Sequence, residues 1–208
     1  MREAQHRADA RIERAIEAAL HKATGPGCPQ GLAAAMRYAV FPGGHRIRPR
    51  LCLAVAEAHD SPDPELVNAA MSSLELLHCA SLVHDDMPCF DDAELRRGKP
   101  SVHVAFGEPL ALMCGDALIV LAFQTIAGTA RIAPRRSAEL LDIVSDAVGA
   151  PNGIVAGQSW ECEAAVPLDE YQRAKTGVLF RGATLAGAAA AGACDPRWAA
   201  LGEVIGAA

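Results

Sequence analysis

The residues with the most chemical content form one run, His84-Asp85-Asp86-Met87-Pro88-Cys89-Phe90-Asp91-Asp92, followed by Arg96-Arg97-Gly98-Lys99-Pro100. Carboxylates packed this closely repel one another unless a cation joins them. A hard divalent ion meets that need, and Mg²⁺ commonly takes one or two carboxylates together with phosphate oxygens of a substrate. The arginine pair suits the same phosphates, because guanidinium binds phosphate bidentately. The local chemistry is that of a Mg²⁺–diphosphate site. A solvated loop of mixed charge is the plainer alternative. Two features weigh against it: the run follows a strongly apolar helical segment, Leu74 to Val83, and Pro88 stops that helix at a defined place.

The segment that must position these carboxylates starts at Ser61-Pro62-Asp63-Pro64, with Asp63 as its cap, and runs to about Asp86. On it His78 and Asp85 are seven residues apart, which places them on one face and about 10 Å apart along the axis. Ser81 lies between them, so a polar strip crosses an otherwise apolar helix. Upstream, Phe41-Pro42-Gly43-Gly44-His45-Arg46-Ile47-Arg48-Pro49-Arg50 is a glycine turn leading into a helix, with Pro49 in its first turn. Free N–H groups there, joined by Arg46, Arg48 and His45, make an anion site. Downstream, Lys175-Thr176-Gly177 offers a cation, a hydroxyl and a helix weakened by glycine.

The remaining pattern is helical throughout. Expected helices span residues 2 to 22, 30 to 40, 108 to about 130, 136 to 148, 154 to 163 and 196 to 208. Aromatic residues make up 4% of the chain and alternating strand signals are scarce, so an all-α protein is expected. The net charge of −6, without an extended basic stripe, excludes nucleic acid as a partner. The seven scattered cysteines form no CxxC pair, which argues for reduced thiols, hence cytoplasm, and against a disulfide framework or zinc site. The N-terminus lacks the apolar core of a signal peptide. The apolar stretch from Leu110 to Ala127 contains Gly115 and Asp116; a buried core helix is expected rather than stable membrane insertion.

Together, Gly43-Gly44-His45-Arg46-Ile47-Arg48-Pro49, Glu75-Leu76-Leu77-His78, the aspartate-rich run with its Arg pair, Gly115-Asp116-Ala117-Leu118, Gly157-Gln158 and Lys175-Thr176-Gly177 resemble the motifs of the all-trans polyprenyl diphosphate synthases, in that family's order. The resemblance implies an isoprenoid-synthase bundle of antiparallel helices around a central cavity, packed as a homodimer. It implies a head-to-tail prenyltransferase that condenses isopentenyl diphosphate with an allylic diphosphate. Carried over by position, Asp85, Asp86 and Asp91 would hold Mg²⁺, and Arg96, Lys175 and Thr176 would contact the allylic diphosphate. Arg48, His78 and Arg97 would bind isopentenyl diphosphate, and Gln158 would line the allylic pocket. Ala80 and Ser81 stand where members that stop at fifteen carbons tend to carry a bulky aromatic; both are small, so a geranylgeranyl product is expected, one that could feed carotenoid or chlorophyll side chains.

Two departures stand out. His45 occupies a position where the family usually has Lys, which weakens that anion ligand. The family also carries a second motif, DDxxD, and the chain ends about where that motif would begin, so a single domain spanning 1–208 and lacking C-terminal helices is expected. Two alternatives compete: a non-catalytic truncated subunit that modulates a full-length synthase, and an ionising terpene cyclase. The intact Asp85-Asp86 and Arg96-Arg97 pairs argue against the first. A cyclase has no need of Arg48, His78 and Arg97.

Overall fold

A helix that is apolar on every side must be surrounded, and that requirement organises the molecule. The computed structural model describes residues 2–60, 62–165, 173–193 and 195–207, with the side chains of Arg2, Ala4, Arg173 and Thr176 outside that description. Its centre is α4 (Pro64–Asp85), whose Leu66, Met71, Leu74 and Leu76 are fully buried although they point in different directions around the axis. Around it pack α1 (Arg2–Ala23), α2 (Gln30–Val40), α3 (Ile47–Glu57), α6 (Glu108–Ala127) and α7 (Pro134–Val148). Two further helices, α9 (Val178–Ala190) and α10 (Arg197–Gly206), complete the described bundle, α9 lying against α3, α4, α7 and α10. The architecture is all-α, as expected.

Capping explains where α4 begins. Asp63 accepts hydrogen bonds from the N–H groups of Glu65 (2.9 Å) and Leu66 (3.3 Å), and Pro64 fills the first position, where no N–H is needed. α9 achieves close approach by having almost no side chain on its inner face. A Cβ at Gly187 would lie 2.4 Å from the Cys52 carbonyl oxygen, and one at Gly182 would lie 3.0 Å from Ala147 Cβ.

Three local differences from expectation have physical causes. The Arg96-Arg97-Gly98-Lys99 stretch forms a small hairpin, β1 (Leu95–Arg96) with β2 (Lys99–Pro100), Arg96 facing Lys99 across it. Its two-residue turn has positive φ at both positions, 55° at Arg97 and 76° at Gly98, the geometry that a tight hairpin requires. A short α5 (Val102–Phe106) follows. The helix expected over 154–163 is α8 (Ile154–Ser159) continued by a 3₁₀ turn, and Arg173–Gly177 is a π-helical turn rather than part of a regular helix. The sequence also places a helix start at Leu168-Asp169-Glu170, ahead of Lys175-Thr176-Gly177, and that start lies outside the described residues.

Two helices, Pro64–Asp85 and Glu108–Arg131, are long and apolar enough to cross a membrane. α4 is enclosed by protein. α6 is buried only along the face carrying Ala111, Cys114, Leu118 and Ala122, and leaves Leu112, Met113 and Val120 about half exposed. The expectation of a fully buried helix therefore holds for one side of α6 only.

Candidate active site

The C-terminal end of α4 carries Asp85 and Asp86 into a cleft, and each is claimed by a different cation. Asp86 is 2% exposed and accepts from Arg96 Nε (2.9 Å) and from Arg96 Nη2, a pair that holds the Arg96 pKa above its ordinary value. Asp85 accepts from Lys175 Nζ (3.4 Å) and from Gln158 Nε2 (3.3 Å). Gln158 also donates to the Ser81 carbonyl (3.1 Å), which ties α8 to α4. Asp91 is brought back to Asp85 by the loop itself, through its N–H bonded to the Asp85 carbonyl (3.0 Å).

A residue absent from the sequence-based set joins them. Ligand oxygens of Asp85, Asp91 and Glu161 all lie within 4.8 Å of one another, and Lys175 Nζ bridges Asp85 and Glu161. Glu161 is three residues beyond Gln158, and the 3₁₀ turn that follows α8 is what aims it. Three hard oxygen donors around one point fit a Mg²⁺ ion, and the lysine already placed among them shows that the cluster is built around positive charge. Lys175 is held there by backbone proximity: a Cβ at Gly157 would lie 2.6 Å from the Lys175 nitrogen, so only glycine lets α8 and the π turn meet. The Thr176 side chain lies outside the described residues.

The basic side is organised differently. Arg46 does not face the cleft, contrary to the anion site expected from the sequence. Its backbone is left-handed (φ 50°), the residue is 5% exposed, and its guanidinium donates to Glu13 (2.8 Å), Glu75 (2.7 Å) and the Val40 carbonyl (2.9 Å). Burial alone would lower its pKa; the hydrogen bond to Glu13 and the charge of Glu75 raise it instead. Gly43 makes this possible, since a Cβ there would lie 2.1 Å from Arg46 Cζ. Gly44 does the same for Arg97, with 2.9 Å to its Cζ. The two glycines are thus two guanidinium notches.

With Arg46 turned inward, Arg48 and Arg97 remain near His78. Arg48 stacks over the Phe180 ring at 5.0 Å and keeps Nε buried without a partner. Burial lowers the Arg48 pKa, with Arg97 acting in the same direction against Glu75. Burial also pushes the His78 pKa down to about 3, assisted by Arg48, Arg97 and Arg46. A neutral imidazole among guanidinium groups is a site short of an anion. His45 is exposed on the same loop.

Between α4, α6, α7 and α8 lies a cavity of about 310 Å³, lined by Leu77, Ala80, Ser81, Ile119, Phe123 and Gln158 among others. Its walls are mostly apolar, and Gln158 connects it to Asp85.

Residues 29–208 match the family described as Polyprenyl synthetase. The chain belongs to the polyprenyl synthetase family. It is 53% identical over 196 residues to the geranylgeranyl diphosphate synthase of Cereibacter sphaeroides, covering 94% of this chain and 68% of that protein. It is 48% identical over 201 residues to the protein of the same name from Rhodobacter capsulatus, covering 95% and 70%. In three dimensions it resembles an FPP/GFPP synthase from Zymomonas mobilis, with a TM-score of 0.86 and 32% identity over 97% of this chain and 77% of that one. A geranyltransferase from Legionella pneumophila gives 0.84 and 29% over 97% and 75%. Membership makes the chain a prenyltransferase.

Proposed function

We propose that this polyprenyl synthetase is a Mg²⁺-dependent enzyme that condenses isopentenyl diphosphate with an allylic diphosphate to give geranylgeranyl diphosphate. One observation carries the reading: a single buried helix, α4, brings Asp85 to a carboxylate cluster at its end, carries His78 among guanidinium groups seven residues back, and lines an apolar cavity with Leu77, Ala80 and Ser81. The two relatives named geranylgeranyl diphosphate synthases support the product assignment.

Asp85 and Asp91, with Glu161, are the carboxylates that hold Mg²⁺, and Asp86 joins them on releasing Arg96. When bound, the metal neutralises charge developing on the departing diphosphate. Arg96, Lys175 and Thr176 hold the allylic diphosphate, and their fixed positive charge stabilises it as the carbon–oxygen bond breaks and the electron pair leaves with oxygen. Arg48, Arg97, His78 and His45 hold isopentenyl diphosphate, so that its double bond attacks the allylic carbon and a proton is then lost from the isopentenyl unit. Gln158 orients Asp85 from the cavity wall, and the apolar lining keeps water from the cation. Small Ala80 and Ser81 let the growing tail pass. The enzyme works as a homodimer, with the half-exposed Leu112, Met113 and Val120 of α6 as its apolar contact face.

The test is a product assay. Purified protein, Mg²⁺, isopentenyl diphosphate and each allylic primer are incubated and products are sized by chromatography. A twenty-carbon diphosphate is expected. No product from any primer would overturn the reading and favour a non-catalytic subunit. A monomer by analytical ultracentrifugation would overturn the dimer.

A further inference from the structure

The hairpin that carries Arg96 and Arg97 is too small to hold itself. Each strand has two residues, and an isolated two-stranded ribbon is marginal in water. Arg97, in the turn, is exposed and has a left-handed backbone, so its own burial does not fix it. One anchor of the hairpin is the bond from Arg96 to Asp86, which opens under the proposed function. Another anchor lies on β2. Lys99 Nζ donates to the Phe41 carbonyl (3.0 Å) and to the Tyr38 carbonyl, and sits 3.8 Å from the centre of the Tyr38 ring. Those carbonyls close the C-terminal end of α2, where the helix dipole favours a cation. Tyr38 in turn donates its hydroxyl to the Pro100 carbonyl (2.8 Å), and its ring packs edge-on against Phe106 of α5 at 5.2 Å. Burial holds the Lys99 pKa below its ordinary value, and the charge of Arg97 acts in the same direction.

One ammonium thus ties together two pieces of chain that meet at Arg97. Arg97 lies two residues before Lys99. Gly44, whose missing side chain leaves room for the Arg97 guanidinium, lies three residues after Phe41, on the loop that leads to Arg48. We propose that Lys99 and Tyr38 are positioning residues: their mutual grip holds Arg97 against Gly44 and thereby sets the affinity for isopentenyl diphosphate, without Lys99 touching that substrate. The inference rests on Arg97 being a ligand of isopentenyl diphosphate, as in the proposed function. Lys99 belongs to the same basic string as Arg96 and Arg97, yet two of its three N–H groups are taken by backbone carbonyls and its charge stands over a ring. The string therefore divides its labour: the arginines face ligands, and the lysine faces the fold.

The experiment titrates the full chain with isopentenyl diphosphate alone, which does not react without a primer, and reads Kd and stoichiometry by calorimetry. The wild type is compared with Tyr38→Phe, Lys99→Met, Arg97→Gln and the double variant Lys99→Met/Arg97→Gln. Arg97→Gln is expected to raise Kd by roughly ten- to a hundredfold, Lys99→Met by roughly tenfold and Tyr38→Phe by about fivefold. A residue that acts through another adds nothing once the other is gone, so the double variant should bind no worse than Arg97→Gln. If the Lys99→Met and Arg97→Gln effects multiply, Lys99 is a ligand in its own right and the inference is overturned. If Arg97→Gln weakens binding while Lys99→Met and Tyr38→Phe keep the wild-type Kd, the inference alone falls; a lowered stoichiometry at that Kd would mark the pair as merely structural. If Arg97→Gln binds as the wild type does, or the wild type does not bind, the reading of Arg97 fails and the inference fails with it. Should Lys99→Met not fold, an unshifted Tyr38→Phe is sufficient to overturn it.

Discussion

The two sides of the cleft solve the same problem, holding like charges close together, in opposite ways. On the basic side the solution is permanent. Arg46 is buried against Glu75 and Glu13, and the loop from Gly43 to Pro49 is shaped around it. On the acidic side the neutralising groups are long side chains reaching in from elsewhere, Arg96 onto Asp86 and Lys175 onto Asp85 and Glu161. Under the proposed function those cations turn from carboxylate to diphosphate, whereas Arg46 cannot leave without stranding the buried Glu75 carboxylate. One side is scaffold, and the other is arranged to exchange partners. The difference teaches that charge in this site is sorted by burial before it is sorted by sign.

The comparison can be broken most sharply at Asp85. Asp85→Ala should lower kcat by about 10³-fold or more, the scale of losing a central electrostatic stabiliser, while circular dichroism and Tm stay near wild type. A Tm loss as large as that of a core variant would place Asp85 in the scaffold instead. Glu75→Gln tests the other side: leaving the Arg46 charge buried without its partner should cost about 3–5 kcal/mol in urea unfolding. A cost near zero would show that Glu13 alone carries Arg46 and that the basic side is not scaffold.

A smaller effect is expected at Arg48. Losing one charge-assisted contact of about 1.5–3 kcal/mol should raise KM for isopentenyl diphosphate in Arg48→Gln by roughly ten- to a hundredfold, with the allylic KM nearly unchanged. Equal changes in both KM values would dissolve the division into two ends. The smallest signal is in pH. His78 stays neutral in the fold down to about pH 3, whereas the unfolded chain takes up that proton near 6.5. Between those values the unfolded state binds more protons, so this contribution to stability is complete above about pH 6.5 and lost as pH falls toward 3. His78→Gln should flatten the stability profile between pH 6.5 and 5, read by urea midpoints; an unchanged slope would remove His78 from the buried basic cluster.

Much of this was legible in the residue order. Helix positions follow from apolar periodicity, and α2 and the Asp63 cap of α4 are found where the sequence places them. Asp85, Gln158 and Lys175 are distant in sequence yet converge. Three features were not legible. Arg46 looks like its neighbours in a basic string, and only its left-handed backbone and the Gly43 notch turn it inward. Glu161 sits among other acidic residues, and its role comes from a 3₁₀ turn after α8 that periodicity does not announce. The β1–β2 hairpin has two-residue strands, too short for any alternating pattern to register.

The placement of His78 and Asp85 on one helix has a kinetic meaning. Under the proposed function, seven residues of rigid α-helix set the two diphosphate ends about 10 Å apart before either substrate arrives. Once both substrates are seated, the carbon–carbon bond forms between two partners whose relative translation and rotation are already restricted. Such confinement corresponds to an effective concentration far above any that the free molecules reach in solution. The spacing along α4 thus turns an encounter between two dilute molecules into an event within one complex, repeated for each unit added.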